Sequence, residues 1–124
     1  HVPFFQSLGA AAIADIVKDW RAKPLYLICG TTRGKQVADM LAPFKGLVES
    51  VIGVGVKAEP NAYTCQTIAD AAASLGIPTS VGEDVRSAIS TIAASGKPAR
   101  ILVFGSFYLR LELFDIHNLD IVEI

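Results

Sequence analysis

A run of large apolar residues, Ile101 to Phe104, stops at Gly105 and constrains the fold of this chain more than any other segment. An uninterrupted apolar run of this length predicts a strand that is buried on both faces. The glycine ends the strand, so Ser106 and Tyr108 follow at its carboxyl end. Open α/β sheets bind their ligands at that edge, and the segment is therefore a candidate site.

Strand and helix patterns alternate along the rest of the chain. Strand patterns cover 25–29, 48–56, 79–81, 101–104 and 119–124, and helical patterns cover 8–20, 36–41, 62–75, 83–94 and 108–114. Asn61 is predicted to cap the helix over 62–75, and Gly76 to end it. Glu83 and Asp84 are predicted to open the helix over 83–94, because their negative charges suit its positive end. This alternation predicts an α/β fold: a three-layer, Rossmann-like domain with a mainly parallel sheet and helices on both faces.

Length and composition suggest one domain without a membrane span. The chain has 124 residues, the usual size of a single domain. It is 52% hydrophobic and 19% charged, with a mean hydropathy of +0.45. No stretch approaches the ~18 apolar residues of a membrane span, and the first residues lack the features of a leader. We therefore expect a cytoplasmic protein with no membrane partner.

Charge and cysteine content exclude two further classes. The net charge is −1 and the basic residues are scattered, so nucleic acid is not an expected partner. Cys29 and Cys65 are isolated, without CxxC spacing or a nearby histidine pair. Both are predicted to be packing thiols in a reduced compartment, with neither a disulfide nor a metal site.

The loop from Gly30 to Lys35 follows a predicted strand and opens a predicted helix, as a phosphate-binding loop does. A P-loop has four residues between its glycines, and a serine or threonine after its lysine. This loop has three residues between its glycines, and Gln36 follows the lysine, so the motif is absent. A helix start with basic and hydroxyl side chains would attract an anion, either a carboxylate or a phosphate, with a solvated helix cap as an equal alternative. The predicted anion contacts are Thr31, Thr32 and Arg33.

Two other glycine loops are weaker candidates. The loop over 53–58 matches the dinucleotide-binding pattern, with alanine in the third glycine position. Because Glu59 and Pro60 follow where a helix would have to be running, we interpret this match as coincidence. The loop after Gly105 lacks the second glycine of a nucleophile elbow. Ser106 is therefore interpreted as a hydrogen-bond donor, with a plain helix cap as the alternative.

Three segments suggest a family when they are taken in order. They are PLYLICG followed by Lys35, EPNAYTCQTIADAA at 59–72, and ARILVFGSFYL at 99–109. In order and spacing they resemble the C-terminal domain of folylpolyglutamate synthase/dihydrofolate synthase, of the Mur ligase superfamily. The opening His1-Val-Pro resembles that family's His-Asn-Pro segment. The resemblance implies that residues 1–124 form one Mur-ligase-type C-terminal domain, expected to be a fragment of a longer ligase, with a decayed or separately encoded remnant as the alternative.

The resemblance implies an ATP-dependent carboxylate–amine ligase of folate biosynthesis and one-carbon metabolism. The carboxylate of a folate or of dihydropteroate is phosphorylated, and the amine of L-glutamate attacks the acyl phosphate. In relatives the P-loop and most magnesium ligands lie in the N-terminal ligase domain, so ATP and Mg²⁺ are expected mainly outside this chain. The C-terminal domain closes over the site, which keeps the acyl phosphate from water. The isolated chain is expected to be inactive, without catalytic residues or metal ligands of its own.

Carried over by position, four residues are implied to bind glutamate. Lys35 matches the lysine of the family's Lys-Asp motif and would pair with a carboxylate. Ser106 matches the serine after the last buried strand and would donate to the same substrate. Tyr108 matches an aromatic residue near that site, and His1 matches a histidine near the hinge. Independently of the family, Lys35 and Ser106 follow strand ends that a parallel sheet would gather at one edge.

The chain also departs from the family pattern. Gln36 replaces the aspartate after the lysine, Val2 replaces the asparagine after the histidine, and LRLELF after Tyr108 is bulkier than expected. Other functions therefore stay open. They are a stand-alone Rossmann-like module that binds a small anion or nucleotide without catalysis, a dinucleotide-dependent oxidoreductase that uses the loop over 53–58, and a structural or interaction domain.

Overall fold

The structure is a computed structural model that describes the central sheet and the helices covering it. The described residues are 14, 24–34, 36–56, 60–97, 99–105 and 119–123, with the backbone alone at 104, 105 and 119–123. The predicted helix over 108–114 lies outside them. Of the predicted helix over 8–20 only Ala14 is described, and it is helical and buried.

The strands are β1 (Leu25–Gly30), β2 (Ser50–Val54), β3 (Thr79–Gly82), β4 (Ala99–Gly105) and β5 (Leu119–Glu123). They form one five-stranded sheet in the order β3-β2-β1-β4-β5, and every neighbouring pair is parallel. The chain runs outward from β1 to the edge strand β3 and then returns to pair β4 on the other side of β1. The prediction of a parallel α/β sheet is confirmed.

The helices are α1 (Val37–Leu41), which continues into a 3-10 turn over Ala42–Phe44, α2 (Cys65–Ser74) and α3 (Val85–Ala93). Successive side chains of β1 enter two separate cores. Cys29 packs with Ile68 of α2 in one core, and Ile28 packs with Ile89 of α3 in the other. Helices therefore cover both faces of the sheet, which confirms the predicted three layers. Among the described helices, none has the length and apolar character needed to cross a bilayer.

The apolar run that opened the sequence analysis forms β4, between β1 and β5. Ile101 and Val103 belong to the core beneath α3, and Leu102 belongs to the core beneath α2. All three are almost completely buried. The strand is thus buried on both faces and ends at Gly105, as predicted.

The start of α2 corrects one prediction. The helix begins at Cys65, and its N-cap is Thr64, whose Oγ1 accepts a hydrogen bond from the Thr67 N–H at 3.1 Å. Asn61 is not the N-cap, because the helix starts three residues later than predicted; the Asn61 backbone carbonyl instead accepts the Arg33 N–H at 2.9 Å. That contact commits the residues before Thr64 to a pairing with the loop after β1.

Two other helix ends follow the sequence closely. The Asp84 side chain caps α3 by accepting the Ser87 N–H at 2.8 Å, where an acidic start was predicted. Gly76 follows the end of α2 with a φ of 79°, a left-handed conformation in which a side chain would be strained. The short helices thus begin and end where local chemistry favours it.

Both cysteines are free thiols. Cys29 is completely buried in β1, and this burial raises the pKa of its thiol to about 12, so the thiol is neutral at physiological pH. Cys65 is half-buried at the first position of α2. Cys29 is therefore a packing thiol, as predicted.

Candidate functional site

The carboxyl ends of β1 and β4 lie side by side at the centre of the sheet. Gly30 and Gly105 are the last residues of the two strands, and they are register partners. From β1 the chain leads towards β2 on one side, and from β4 it leads towards β5 on the other. This pair of strand ends is therefore the topological switch point, where open α/β sheets bind ligands.

The two segments that carry the main predicted glutamate ligands start from this point. The chain continues from Gly30 to Lys35 and from Gly105 to Ser106. Neighbouring strands are about 4.8 Å apart, so both segments leave the sheet from adjacent positions. Lys35, Ser106, Tyr108 and His1 lie outside the described residues, and their contacts with glutamate stay predictions.

A short antiparallel ladder fastens the loop after β1 to the segment before α2. The Tyr63 N–H donates to the Thr31 carbonyl at 2.9 Å, and the Arg33 N–H donates to the Asn61 carbonyl at 2.9 Å. Between these bonds, Thr32 forms an isolated bridge with Ala62. The Tyr63 hydroxyl adds a third hydrogen bond by donating to the Arg33 carbonyl at 2.9 Å.

The sequence analysis did not predict this ladder. A pairing between two short segments that lie far apart in sequence produces no hydrophobic periodicity, which is the signal that identifies strands. The proline and asparagine before Tyr63 mark a turn but do not reveal its partner.

The three predicted anion contacts differ in their exposure. Arg33 is exposed and Thr32 is half-buried, so a dissolved anion can reach both. Thr31 is completely buried, and its side chain could contact such an anion only if the loop opened. The cap of α1 at Gln36 makes no side-chain hydrogen bond to the helix start. Anion binding by these residues stays a prediction.

The Thr31 side chain is completely buried at the start of the loop after β1. Within the described residues, Thr31 Oγ1 is buried and has no hydrogen-bond partner. A buried hydroxyl without a partner costs roughly 1–3 kcal/mol of stability. Burial of this hydroxyl therefore lowers the stability of the folded chain at the loop after β1.

Replacing this hydroxyl by a methyl group in Thr31→Val is expected to raise the free energy of unfolding by about 1 kcal/mol. The matched control is Thr79→Val, since Thr79 Oγ1 donates to the Val51 carbonyl at 2.8 Å. That control is expected to lose about 1 kcal/mol. Urea unfolding of both variants measures the difference. A loss of stability in Thr31→Val equal to that of the control would show that the hydroxyl has a partner.

The chain was compared with family models, curated proteins and solved structures. No family model matches the chain, and no curated protein matches it. Solved structures do match. The chain is similar in fold to Mycobacterium tuberculosis folylpolyglutamate synthase. The enzyme crystallised with ADP and AMPPCP matches with a TM-score of 0.66 and 21% identity, over 81% of this chain and 25% of that one.

A second structure of folylpolyglutamate synthase, complexed with ADP, gives a TM-score of 0.62 and 19% identity. It covers 83% of this chain and 26% of the enzyme. This chain thus spans about a quarter of the length of the solved structures it matches. The likeness confirms at the level of the fold what the sequence resemblance predicted.

Within this folylpolyglutamate synthase-like fold, the loop over 53–58 does not open a helix at its glycines. Gly53 is inside β2, and among the described residues the next helix, α2, begins at Cys65. A side chain at Gly53 would overlap the Cys65 carbonyl of α2. This glycine therefore serves the packing of a helix against the sheet, which agrees with the interpretation of the dinucleotide pattern as coincidence.

Metal ligands are not gathered in the described part of the chain. No group of three histidine, cysteine, aspartate or glutamate side chains lies close enough there to hold an ion.

Proposed function

We propose that this chain is the C-terminal, glutamate-binding domain of an ATP-dependent ligase that adds L-glutamate to a folate or to dihydropteroate through an acyl phosphate. The observation that carries the proposal is the register pairing of Gly30 with Gly105 at the switch point. It starts the Lys35 and Ser106 segments side by side. The fold similarity to folylpolyglutamate synthase supports the same assignment.

The chemistry of the two segments suits an amino-acid substrate. A lysine ammonium pairs with a carboxylate as a point charge, and a serine hydroxyl donates a directional hydrogen bond. Arg33, which is exposed, adds positive charge within the loop that leads to Lys35. In the proposed reaction these groups would hold glutamate with its amine directed at the acyl phosphate, so their role is positioning rather than bond breaking.

The nucleotide belongs to the other part of the proposed ligase. The loop from Gly30 to Lys35 lacks the P-loop spacing, and the described residues offer no cluster of carboxylates for magnesium. ATP, Mg²⁺ and the folate or dihydropteroate are therefore assigned mainly to an N-terminal P-loop domain. When bound there, ATP supplies the phosphoryl group that activates the carboxylate. This domain would complete the glutamate site and exclude water on closure.

The test is a titration followed by amide chemical shifts in nuclear magnetic resonance. L-Glutamate is expected to shift the amides of Lys35 and Ser106, while D-glutamate, which carries the same charges, shifts them less. Equal shifts with inorganic phosphate would favour the anion-binding module instead. Shifts confined to Gly53 on addition of NAD would favour an oxidoreductase and contradict the proposal. The same titration with the N-terminal domain present covers the case in which glutamate binds only to the closed enzyme.

A second readout concerns catalysis. The purified chain is expected to show no ATP-dependent addition of glutamate, because its sequence lacks the P-loop motif that binds ATP. Turnover of dihydropteroate and glutamate by the chain alone would refute this assignment of roles.

A further inference from the structure

Tyr63 joins the core to the loop that precedes Lys35. Its side chain is half-buried and packs against the core cluster that contains Cys29 and Ile68. Its hydroxyl leaves that core and donates to the Arg33 carbonyl at 2.9 Å. Its own N–H donates to the Thr31 carbonyl at 2.9 Å. One residue therefore holds both ends of the segment from Thr31 to Arg33.

The hydrogen bonds that Tyr63 makes to Thr31 and Arg33, called the brace below, lie just before Lys35 in the sequence. Arg33 is held by Tyr63 and Asn61, and Val37 is buried as the first residue of α1. Lys35 lies midway between these two fixed points in the sequence. A Cβ added at Gly34 would have no neighbour within 4 Å, so no other residue packs against that position of the loop. The hydrogen bonds at Arg33 are thus the last described restraint before the lysine.

We infer that Tyr63 is a positioning residue: its hydroxyl fixes the loop from Thr31 to Arg33, which leads in the sequence to Lys35, the residue proposed to pair with the glutamate carboxylate. This inference rests on the proposed function, since it assigns the brace a role in the same site. Preorganisation of this kind lowers the cost of ordering a loop when a ligand binds. It affects the affinity for the substrate held by that loop and leaves distant subsites unchanged.

Tyr63→Phe tests the inference, because phenylalanine keeps the aromatic ring and removes only the donor to Arg33. The matched control is Tyr26→Phe, which removes a hydroxyl from a half-buried tyrosine of β1 packed against the other core. In the whole ligase, Tyr63→Phe is expected to raise KM for L-glutamate about fivefold, the loss expected for one hydrogen bond. The kcat and the KM for ATP are expected to stay unchanged, and Tyr26→Phe is expected to alter none of them.

Amide hydrogen exchange tests the brace without any substrate. In Tyr63→Phe the Arg33 and Tyr63 amides are expected to exchange about fivefold faster, and the amides of α3 at the wild-type rate. Unchanged exchange at Arg33 overturns the brace whatever the kinetics show. Faster exchange with an unchanged KM for glutamate overturns the positioning of Lys35. A wild-type ligase that does not use glutamate contradicts the proposed function, and the positioning role fails with it.

Discussion

Replacing Lys35 by methionine in the whole ligase is expected to lower kcat/KM for L-glutamate about 100-fold, or about 3 kcal/mol. Methionine keeps an unbranched apolar side chain and removes the ammonium, so the glutamate carboxylate would lose the charged partner proposed for it. The KM for ATP is expected to stay within about twofold of the wild type, since the nucleotide is assigned to the other domain. Initial rates at varied glutamate and varied ATP separate the two effects.

Lys97→Met is the control for this experiment. Lys97 is an exposed lysine just before β4, at the amino edge of the sheet and therefore opposite the switch point. The control makes the same chemical change and is expected to leave both kinetic constants unaltered. An equal loss in Lys97→Met would indicate a general effect of charge. An unchanged KM for glutamate in Lys35→Met would remove the main residue from the proposed site.

The variant Gly53→Ala is expected to lower the free energy of unfolding by about 3 kcal/mol, at the upper end of the range for overpacked cores. Gly53 lies within β2 and is covered by the first turn of α2. An added Cβ would overlap the Cys65 carbonyl and would lie 3.1 Å from both the Ala69 nitrogen and the Ile68 Cβ. Two of these atoms belong to the helix backbone, so a change of side-chain rotamer cannot relieve the overlap.

Gly55→Ala provides a matched control two positions along the same chain segment. A Cβ at Gly55 would meet only the Glu83 carbonyl, at 3.8 Å, which is an ordinary van der Waals contact. The control is expected to change stability by less than about 1 kcal/mol, with a gain from the lower entropy of the unfolded chain. Urea unfolding followed by circular dichroism gives both values. Similar midpoints for the two variants would contradict the close packing of α2 on β2.

The layered fold could be predicted from the sequence because its signals are local. The run from Ile101 to Phe104 predicted a strand buried on both faces, and β4 is such a strand over its described side chains. Asp84 and Gly76 mark helix ends by chemistry that acts within one turn. The strand order could not be predicted, since periodicity identifies an element and its buried face but not its neighbour.

In the site too, the local features could be predicted from the sequence and the pairings between distant segments could not. That Lys35 and Ser106 follow strand ends is visible in the sequence, but only the register of Gly30 with Gly105 shows that those two strands are neighbours. The ladder that involves Tyr63 depends on a pairing between distant segments, and the sequence signal there suggested an N-cap at Asn61 instead. Backbone hydrogen bonds decided the conformation where side-chain preferences gave the wrong answer.

The pairing of β1 with β4 also affects the order in which the site can form. β1 to β3 follow one another in the chain, whereas β4 pairs with β1 only after two intervening strands and their helices have been passed. Contacts between such distant segments close late and slowly, because a long loop loses entropy before the pairing offsets it. A species with only the first three strands paired would lack half of the switch point. Under the proposed function, glutamate would bind between the two loops only once the sheet is complete, and its presence would favour the folded state by mass action.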